Sequence, residues 1–288
     1  MDRDGKINRA IKFWRSEAID RGYDLIYIGL YGSQNYELDI YTDEYQSDTD
    51  FKAIVIPSLD EMIANKKPVS TTVKDEYFGD CDFKDIRLFA ELVKKGNPQY
   101  IESVCSKYRW MNCDYYLPKS FFFTNVINSF KFRIAKAIRG MALEKYHALS
   151  HPYPSKVYLI EKYGYDGKQL HHIIRLERLL YEYVIVGGKT FSECLIPYPL
   201  KNDDDIMQKL MDSKLNHYSL EIAQVMAKEY LESIHEMVGK VQELEEQNRD
   251  KYLSITHSAE HDIDKDVAKV IKEKIRRDIK GEILDGKR

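Results

Sequence analysis

Two aspartates, Asp48 and Asp50, have the spacing of metal ligands on a β-strand. They open the segment DTDFKAIVIP, which is apolar in its second half and ends at a proline, and this pattern predicts a strand. Residues two apart on a strand point to the same face, so their carboxylates would repel each other. A hard divalent cation removes that repulsion, because Mg²⁺ prefers oxygen ligands and completes its shell with water and phosphate. The pair predicts a Mg²⁺ site that Mn²⁺ could also occupy.

A glycine and a serine follow the preceding predicted strand, DLIYIGLY at residues 24–31. Gly32 can adopt a turn that other residues cannot, which would let backbone N–H groups and the Ser33 hydroxyl approach phosphate oxygens. Taken singly, a Gly-Ser turn and an Asp-x-Asp strand start are more often structural features. Their order along the chain favours a phosphate-binding catalytic site, in which Lys52 would pair with a carboxylate or contact phosphate.

This order of strand, Gly-Ser, loop and Asp-x-Asp strand resembles the DNA polymerase beta nucleotidyltransferase superfamily. The resemblance implies a two-metal site for attack on the α-phosphate of a nucleoside triphosphate (NTP), and a third carboxylate from a neighbouring strand. We expect Asp82 to be this third metal ligand and to activate the attacking hydroxyl, with Asp80 as the alternative. A turn aspartate beside Gly79 is the structural alternative for Asp80.

Four stretches resemble a narrower bacterial and phage family, the RNA ligase-associated or RNA-repair polymerase-like nucleotidyltransferases. They are GSQNYEL from residue 32, SDTDFKAIVIP from residue 47, DIRLFAELVKKGNPQYIES from residue 85, and GKQLHHIIRLERLL with VGGK within 167–189. The chain departs from the family at Thr49, where an apolar residue is commoner, and after about Pro199, where no counterpart can be named. The resemblance implies transfer of a nucleoside monophosphate to a hydroxyl acceptor, an RNA or tRNA 3′ end in particular.

Three polar residues, Lys168, His172 and Arg175, follow the i, i+4, i+7 spacing of one helical stripe. Such a stripe is typical of an anion-binding face, and its structural alternative is an ordinary basic surface with a satisfied histidine. In the resembling family this helix packs toward the catalytic cleft. The resemblance therefore implies that the three residues contact the triphosphate or the acceptor strand.

The bulk composition limits the partners. The chain has 288 residues with 47 acidic and 44 basic side chains, so it lacks the basic excess typical of nucleic-acid binders, and any RNA contact would be local. No apolar run approaches the roughly 20 residues of a membrane span, and the charged N-terminus favours a cytoplasmic protein. The four cysteines form no zinc or disulfide pattern. A protein or small-molecule acceptor, and a non-catalytic nucleotide-binding or interaction protein, remain alternatives.

Hydrophobic periodicity predicts an α+β protein. We expect a polymerase-beta-like catalytic domain at 1–116, with a mixed sheet and flanking helices. An all-α domain at 117–250 and a charged helical tail at 251–288 would follow. Within the helical half, the segment 151–167 is rich in proline, glycine and tyrosine and predicts a loop.

Overall fold

The structure is a computed structural model that describes residues 3–41, 47–115, 119–122, 124–195 and 205–284. It confirms the α+β class, since a five-stranded mixed sheet near the N-terminus is followed by a mostly helical chain. The chain divides into two compact units. The first comprises Met1–Lys95, Gln99–Ser129 and Leu253–Arg288, and the second comprises Gly96–Pro98 and Phe130–Tyr252.

The sheet of the first unit brings the predicted site segments together. Its strands are β1 (Asp24–Tyr31), β2 (Asp50–Ile56), β3 (Ser70–Asp75), β4 (Gly79–Asp85) and β5 (Arg109–Met111), in the order β3-β4-β2-β1-β5. β2 runs parallel to β4 and antiparallel to β1. As a result Tyr31, at the end of β1, lies opposite Asp50, at the start of β2, and Lys52 lies beside Asp82.

Side-chain caps mark the starts of two helices of the first unit. Ser58 forms a capping box with Glu61 at the start of the second helix, and the Asp85 carboxylate caps the third. The apolar face of the first helix packs on the sheet, where Trp14 and Phe83 are fully buried in the same core cluster. The bounds are α1 (Arg3–Asp20), α2 (Leu59–Ile63), α3 (Ile86–Lys94), α4 (Pro98–Cys105), α5 (Lys119–Phe122) and α6 (Thr124–Asn128).

The described residues of the second unit form helices joined by turns and irregular segments, with no strand among them. Its helices are α7 (Lys131–Ala148), α8 (Val157–Tyr163), α9 (Gly167–Leu180), α10 (Asp205–Lys214) and α11 (Leu220–Gln247), with a π-helical turn at Tyr181–Val186. The prediction of a loop over 151–167 is wrong in its centre, which forms α8. The prolines precede this helix and Gly164 follows it, so these residues bound the segment without interrupting it.

The last helix, α12 (Arg249–Leu284), is part of the first unit from Leu253 onward. Its weak apolar pattern is a narrow buried stripe: Ala259, Ile263, Val267 and Val270 are all less than a tenth exposed. This division of the chain differs from the expected one, in which 251–288 formed a separate tail. No helix among the described residues has the length and apolar character needed to cross a membrane.

Polar contacts also connect α12 to the sheet and to α2. The Lys274 ammonium lies 2.5 Å from the Asp24 carboxylate, at the start of β1. The Asp278 carboxylate accepts a hydrogen bond from the Leu59 backbone N–H at 3.1 Å, in the first turn of α2. A charged helical segment thus completes the first unit through a few apolar residues and specific ion pairs.

Candidate functional site

The turn after β1 lies directly beside Asp50. Gly32 has φ 94° and ψ −167°, a backbone conformation that residues with a side chain rarely adopt. A 3-10 turn, Ser33–Tyr36, follows it. A Cβ atom added to Gly32 would lie 3.7 Å from Asp50 Oδ2, so the turn and this carboxylate share one end of the sheet.

The segment that carries both aspartates is fixed by a buried amide. The Gln34 Nε2 group donates to the Asp48 carbonyl at 3.2 Å and to Thr49 Oγ1 at 2.6 Å. Gln34 and Thr49 are both buried, whereas the Asp48 side chain is exposed and Asp50 is half-buried. The threonine that departs from the family pattern therefore pairs with Gln34, and the two residues orient the start of β2.

A third carboxylate, that of Asp80, affects the same lysine as Asp48 and Asp50. Asp80, on β4, forms an ion pair with the exposed Lys74 ammonium at 3.0 Å. The hydrogen bond with Asp80 is the main cause that raises the pKa of Lys74, and the charges of Asp50 and Asp48 raise it further. These three carboxylates therefore lie within electrostatic reach of one exposed cation.

Asp82 has a different environment, because it lies inside β4 and is only 5% exposed. Burial alone would raise its pKa, but the neighbouring Lys52 ammonium and the donated hydrogen bonds outweigh it and lower the pKa below the ordinary value. The donors are Tyr100 Oη at 2.7 Å, Lys52 Nζ at 3.1 Å, Lys84 Nζ at 3.1 Å and Thr72 Oγ1 at 3.4 Å. Asp82 is thus an ionised member of a buried network.

Lys52 is the cation at the centre of this network. Besides its ion pair with Asp82, its ammonium lies 4.3 Å from the ring centre of Tyr31 and 4.7 Å from that of Tyr100. Burial, followed by the charges of Asp50 and Asp82, raises the pKa of Tyr31, so its phenol stays neutral. The sequence suggested that Lys52 would pair with a carboxylate or contact phosphate, and in the structure it pairs with the Asp82 carboxylate.

Glu102, on α4, is a site residue that sequence reasoning missed. Its carboxylate accepts the backbone N–H of Gly32 at 2.6 Å and the Asn35 Nδ2 group at 3.5 Å, and the residue is only 3% exposed. The Gly32 amide, expected to approach phosphate, is therefore engaged within the protein. Glu102 lies in the stretch NPQYIES, and no sequence pattern there indicated a contact with the turn after β1.

The three residues predicted to bind anions lie together on α9 in the second unit. Lys168 and His172 are half-buried, and Arg175 is 8% exposed. Burial is the main cause that lowers the pKa of His172 well below its ordinary value, and the charges of Arg175 and Lys168 lower it further. His172 is therefore neutral and lies between cations. The lysine of the VGGK stretch, Lys189, instead forms an ion pair with the buried Glu182 at 3.0 Å.

The residues at the end of the sheet fit one Mg²⁺ better than a three-acid metal cluster. Mg²⁺ is usually held by one or two carboxylates together with water and substrate phosphate, which Asp48 and Asp50 can satisfy. Asp82 fits less well, because two ammonium groups and a phenol occupy its oxygens. Within the described part of the chain, no three Asp, Glu, His or Cys side chains are grouped closely enough to hold a metal ion.

Comparison with known proteins adds no family to this site. No protein-family model matches the chain, and a search of curated proteins finds no match.

Proposed function

We propose that the protein is a Mg²⁺-dependent nucleotidyltransferase that transfers a nucleoside monophosphate from an NTP to a hydroxyl acceptor. The observation that carries the proposal is that the Gly32 turn lies beside Asp50. A Cβ atom built on Gly32 would be 3.7 Å from Asp50 Oδ2. A phosphate group held at this turn would lie next to a carboxylate suited to Mg²⁺. The resemblance of the surrounding stretches to nucleotidyltransferases supports the same assignment.

In this proposal each residue of the site has a distinct role. Ser33 contacts a phosphate oxygen through its hydroxyl, while Asp48 and Asp50 hold the metal. Bound Mg²⁺ would neutralise the charge that develops on the phosphates. The third acid is Asp80, because its side chain is a third exposed and it pairs with Lys74, whose pKa the charges of Asp48 and Asp50 also raise. Its carboxylate accepts the proton of the attacking hydroxyl while the hydroxyl oxygen bonds to the α-phosphorus, the bond between the α- and β-phosphates breaks, and pyrophosphate leaves.

Asp82, the acid preferred from sequence, takes a positioning role in this proposal. To reach a metal or a hydroxyl it would have to leave Lys52 and Lys84, and Lys52 would then be buried without this partner. Where it lies, it holds Lys52 between the rings of Tyr31 and Tyr100. It thereby supports β1 at the point where the phosphate-binding turn begins.

An RNA 3′ end is the acceptor that the family resemblance implies. The near balance of acidic and basic residues argues for a short, local contact with RNA. Within the second unit, Lys168 and Arg175 are the residues proposed to bind phosphate, because guanidinium and ammonium groups bind phosphate. His172, being neutral, would contribute a hydrogen bond rather than a charge.

The proposal is tested by incubating the protein with each α-labelled NTP, Mg²⁺ and bulk small RNA. Label should enter RNA with the wild type and fail to enter with Asp50→Asn. The exposed Asp20→Asn substitution, at the end of α1, is the matched control and should label RNA like the wild type. Label that enters the protein itself, or no label transfer at all, would contradict an RNA acceptor. Transfer that survives Asp50→Asn would contradict the site.

A further inference from the structure

The short helix α4 lies directly behind the candidate site and contacts it at two points. Gly29, in β1, permits this approach, because a Cβ atom there would collide with the Ser103 carbonyl oxygen of α4. The Tyr27 hydroxyl donates to the same carbonyl at 2.6 Å. From this position Tyr100 reaches Asp82 and Glu102 reaches Gly32. One helix therefore contacts both the buried ion network and the turn.

We infer that Glu102 is a positioning residue for triphosphate binding, acting through the backbone N–H of Gly32. This inference rests on the proposed function. The contact is a short hydrogen bond, in which the Glu102 carboxylate accepts the Gly32 N–H at 2.6 Å, and removing the acceptor would leave that N–H without this partner. This hydrogen bond is made to Gly32, whose backbone conformation is rarely adopted by residues with a side chain.

The physical reason for such a device is the conformational freedom of glycine. Gly32 can adopt many other backbone conformations, so contacts with its neighbours are needed to select φ 94° and ψ −167°. Glu102 holds the N–H side of Gly32, and the Asn35 N–H donates to the Gly32 carbonyl at 2.9 Å on the other side. Asn35 is itself held, because its side-chain oxygen accepts from Ser106 Oγ at 2.8 Å. The turn is thereby fixed before a ligand arrives.

Glu102 cannot itself be a ligand for phosphate, since like charges repel. Its charge is among the causes that raise the pKa of Tyr31, after burial and the charges of Asp50 and Asp82, so it lies within electrostatic reach of that ring. Glu102 therefore acts from the side of the turn that faces the protein. By fixing the backbone of Gly32, it also constrains the backbone position of Ser33, the next residue.

The first test is amide hydrogen exchange of Gly32 in protein labelled with ¹⁵N-glycine, which reduces the spectrum to 14 glycine signals. Glu102→Met preserves the volume of the side chain and removes the oxygen acceptor, whereas Glu102→Gln retains an oxygen that can accept the same N–H. Exchange at Gly32 should accelerate about tenfold to a hundredfold in Glu102→Met. It should stay within about threefold of wild type in Glu102→Gln.

The second test is equilibrium binding of each NTP in the presence of Ca²⁺, with no turnover required. Glu102→Met should raise the Kd by about tenfold or more, and Glu102→Gln should restore nearly wild-type affinity. Melting temperatures separate a local effect from general unfolding. If Glu102→Met does not fold, Glu102→Asp, which withdraws the carboxylate by one methylene, should produce a smaller change in the same direction.

The outcomes distinguish this inference from the proposed function. Wild-type protein that binds no NTP would overturn the proposed function and the role of Glu102 with it. Wild-type binding that Glu102→Met leaves unchanged, with or without faster exchange at Gly32, would overturn the positioning role alone. Glu102→Gln that weakens binding as much as Glu102→Met would also overturn it, because the charge and not the hydrogen bond would then be responsible.

Discussion

The segment that forms the sheet, residues 24–111, contains two Asp-x-Asp sequences, DTD at 48–50 and DCD at 80–82, and their carboxylates lie in different environments. Asp48 is exposed and Asp50 half-buried, next to a turn that only glycine accommodates. Asp82 is buried and receives hydrogen bonds from two ammonium groups and a phenol. Identical spacing thus yields two accessible carboxylates at the start of β2, whereas in β4 it yields the partly exposed Asp80 and the buried Asp82.

The difference follows from where each aspartate lies in its strand. Asp50 is the first residue of β2, so its carboxylate is at the rim of the sheet. Asp82 is the fourth residue of β4, a strand paired on both sides, and it lies beside Lys52 and Thr72. A charge at that depth needs partners, because an unpaired buried charge is strongly destabilising. Depth in the sheet therefore separates the acids that we propose to bind metal from a structural one.

The largest expected effect is on catalysis at the rim. Asp50→Asn should lower the rate of nucleotidyl transfer by about a thousandfold or more, because it removes charge that would hold the metal at the reacting phosphate. The melting temperature should stay within a few degrees of wild type. Single-turnover transfer and thermal unfolding, measured on the same preparation, check both expectations. If Asp50→Asn loses activity only because it is unfolded, the proposed difference between Asp50 and the buried Asp82 would be contradicted.

The next effect concerns the stability of the buried anchor. Asp82→Ala should lower the free energy of unfolding by about 3–5 kcal/mol, since it leaves Lys52 buried without its partner. Asp80→Ala is the matched control: its ion pair with the exposed Lys74 should be worth about 0–1 kcal/mol. Urea unfolding measures both. The double substitution of Lys52→Met with Asp82→Leu should recover much of the loss, and its failure to do so would contradict the ion-pair explanation.

The pH dependence of the unfolding free energy should show the contribution of the Asp82 carboxylate. Because the pKa of Asp82 is lowered in the folded protein, its contribution is complete above the ordinary aspartate value of 3.8 and is lost as the pH falls through the folded value. The difference in unfolding free energy between wild type and Asp82→Asn should therefore shrink on acidification from pH 5, as urea titrations would measure. A difference that grows instead would mean that the sign of the shift is wrong.

The smallest expected effect is at Thr49, which holds the start of β2 from within. Thr49→Val should lower the free energy of unfolding by about 1 kcal/mol, because Gln34 loses one of its acceptors in a buried position. Thr49→Ser keeps the hydroxyl and is the control. Chemical unfolding measures the stability of both variants. Equal unfolding free energies for Thr49→Val and Thr49→Ser would show that the hydroxyl has no structural role at this position.

Much of the fold was predictable because local signals and packing agree. The segment 24–31 forms β1 at the predicted residues, and Ser58 caps α2 as its position suggests. The three-residue strand β5 was missed, since so short an element has no periodicity of its own. α12 was predicted to be helical, but not to pack on the first unit, because four apolar residues among many charges do not reveal their partner.

The site was predictable only as far as it is local in sequence. Gly32 and Asp50 lie together as the strand-turn-strand order implied. The choice between Asp80 and Asp82 depended on the register between β2 and β4, which places Asp82 beside Lys52, and no single sequence displays that register. Glu102 reaches Gly32 across 70 residues, through a helix whose placement depends on tertiary packing.

The most direct test of the account is where a divalent cation binds together with a nucleotide. Mn²⁺ binding, followed by electron paramagnetic resonance in the presence of a non-hydrolysable NTP, should be measured for wild type, Asp50→Asn and Asp82→Asn. The account predicts that Asp50→Asn loses the nucleotide-dependent Mn²⁺ site and that a folded Asp82→Asn retains it. Loss of the site in Asp82→Asn with its survival in Asp50→Asn would contradict the account.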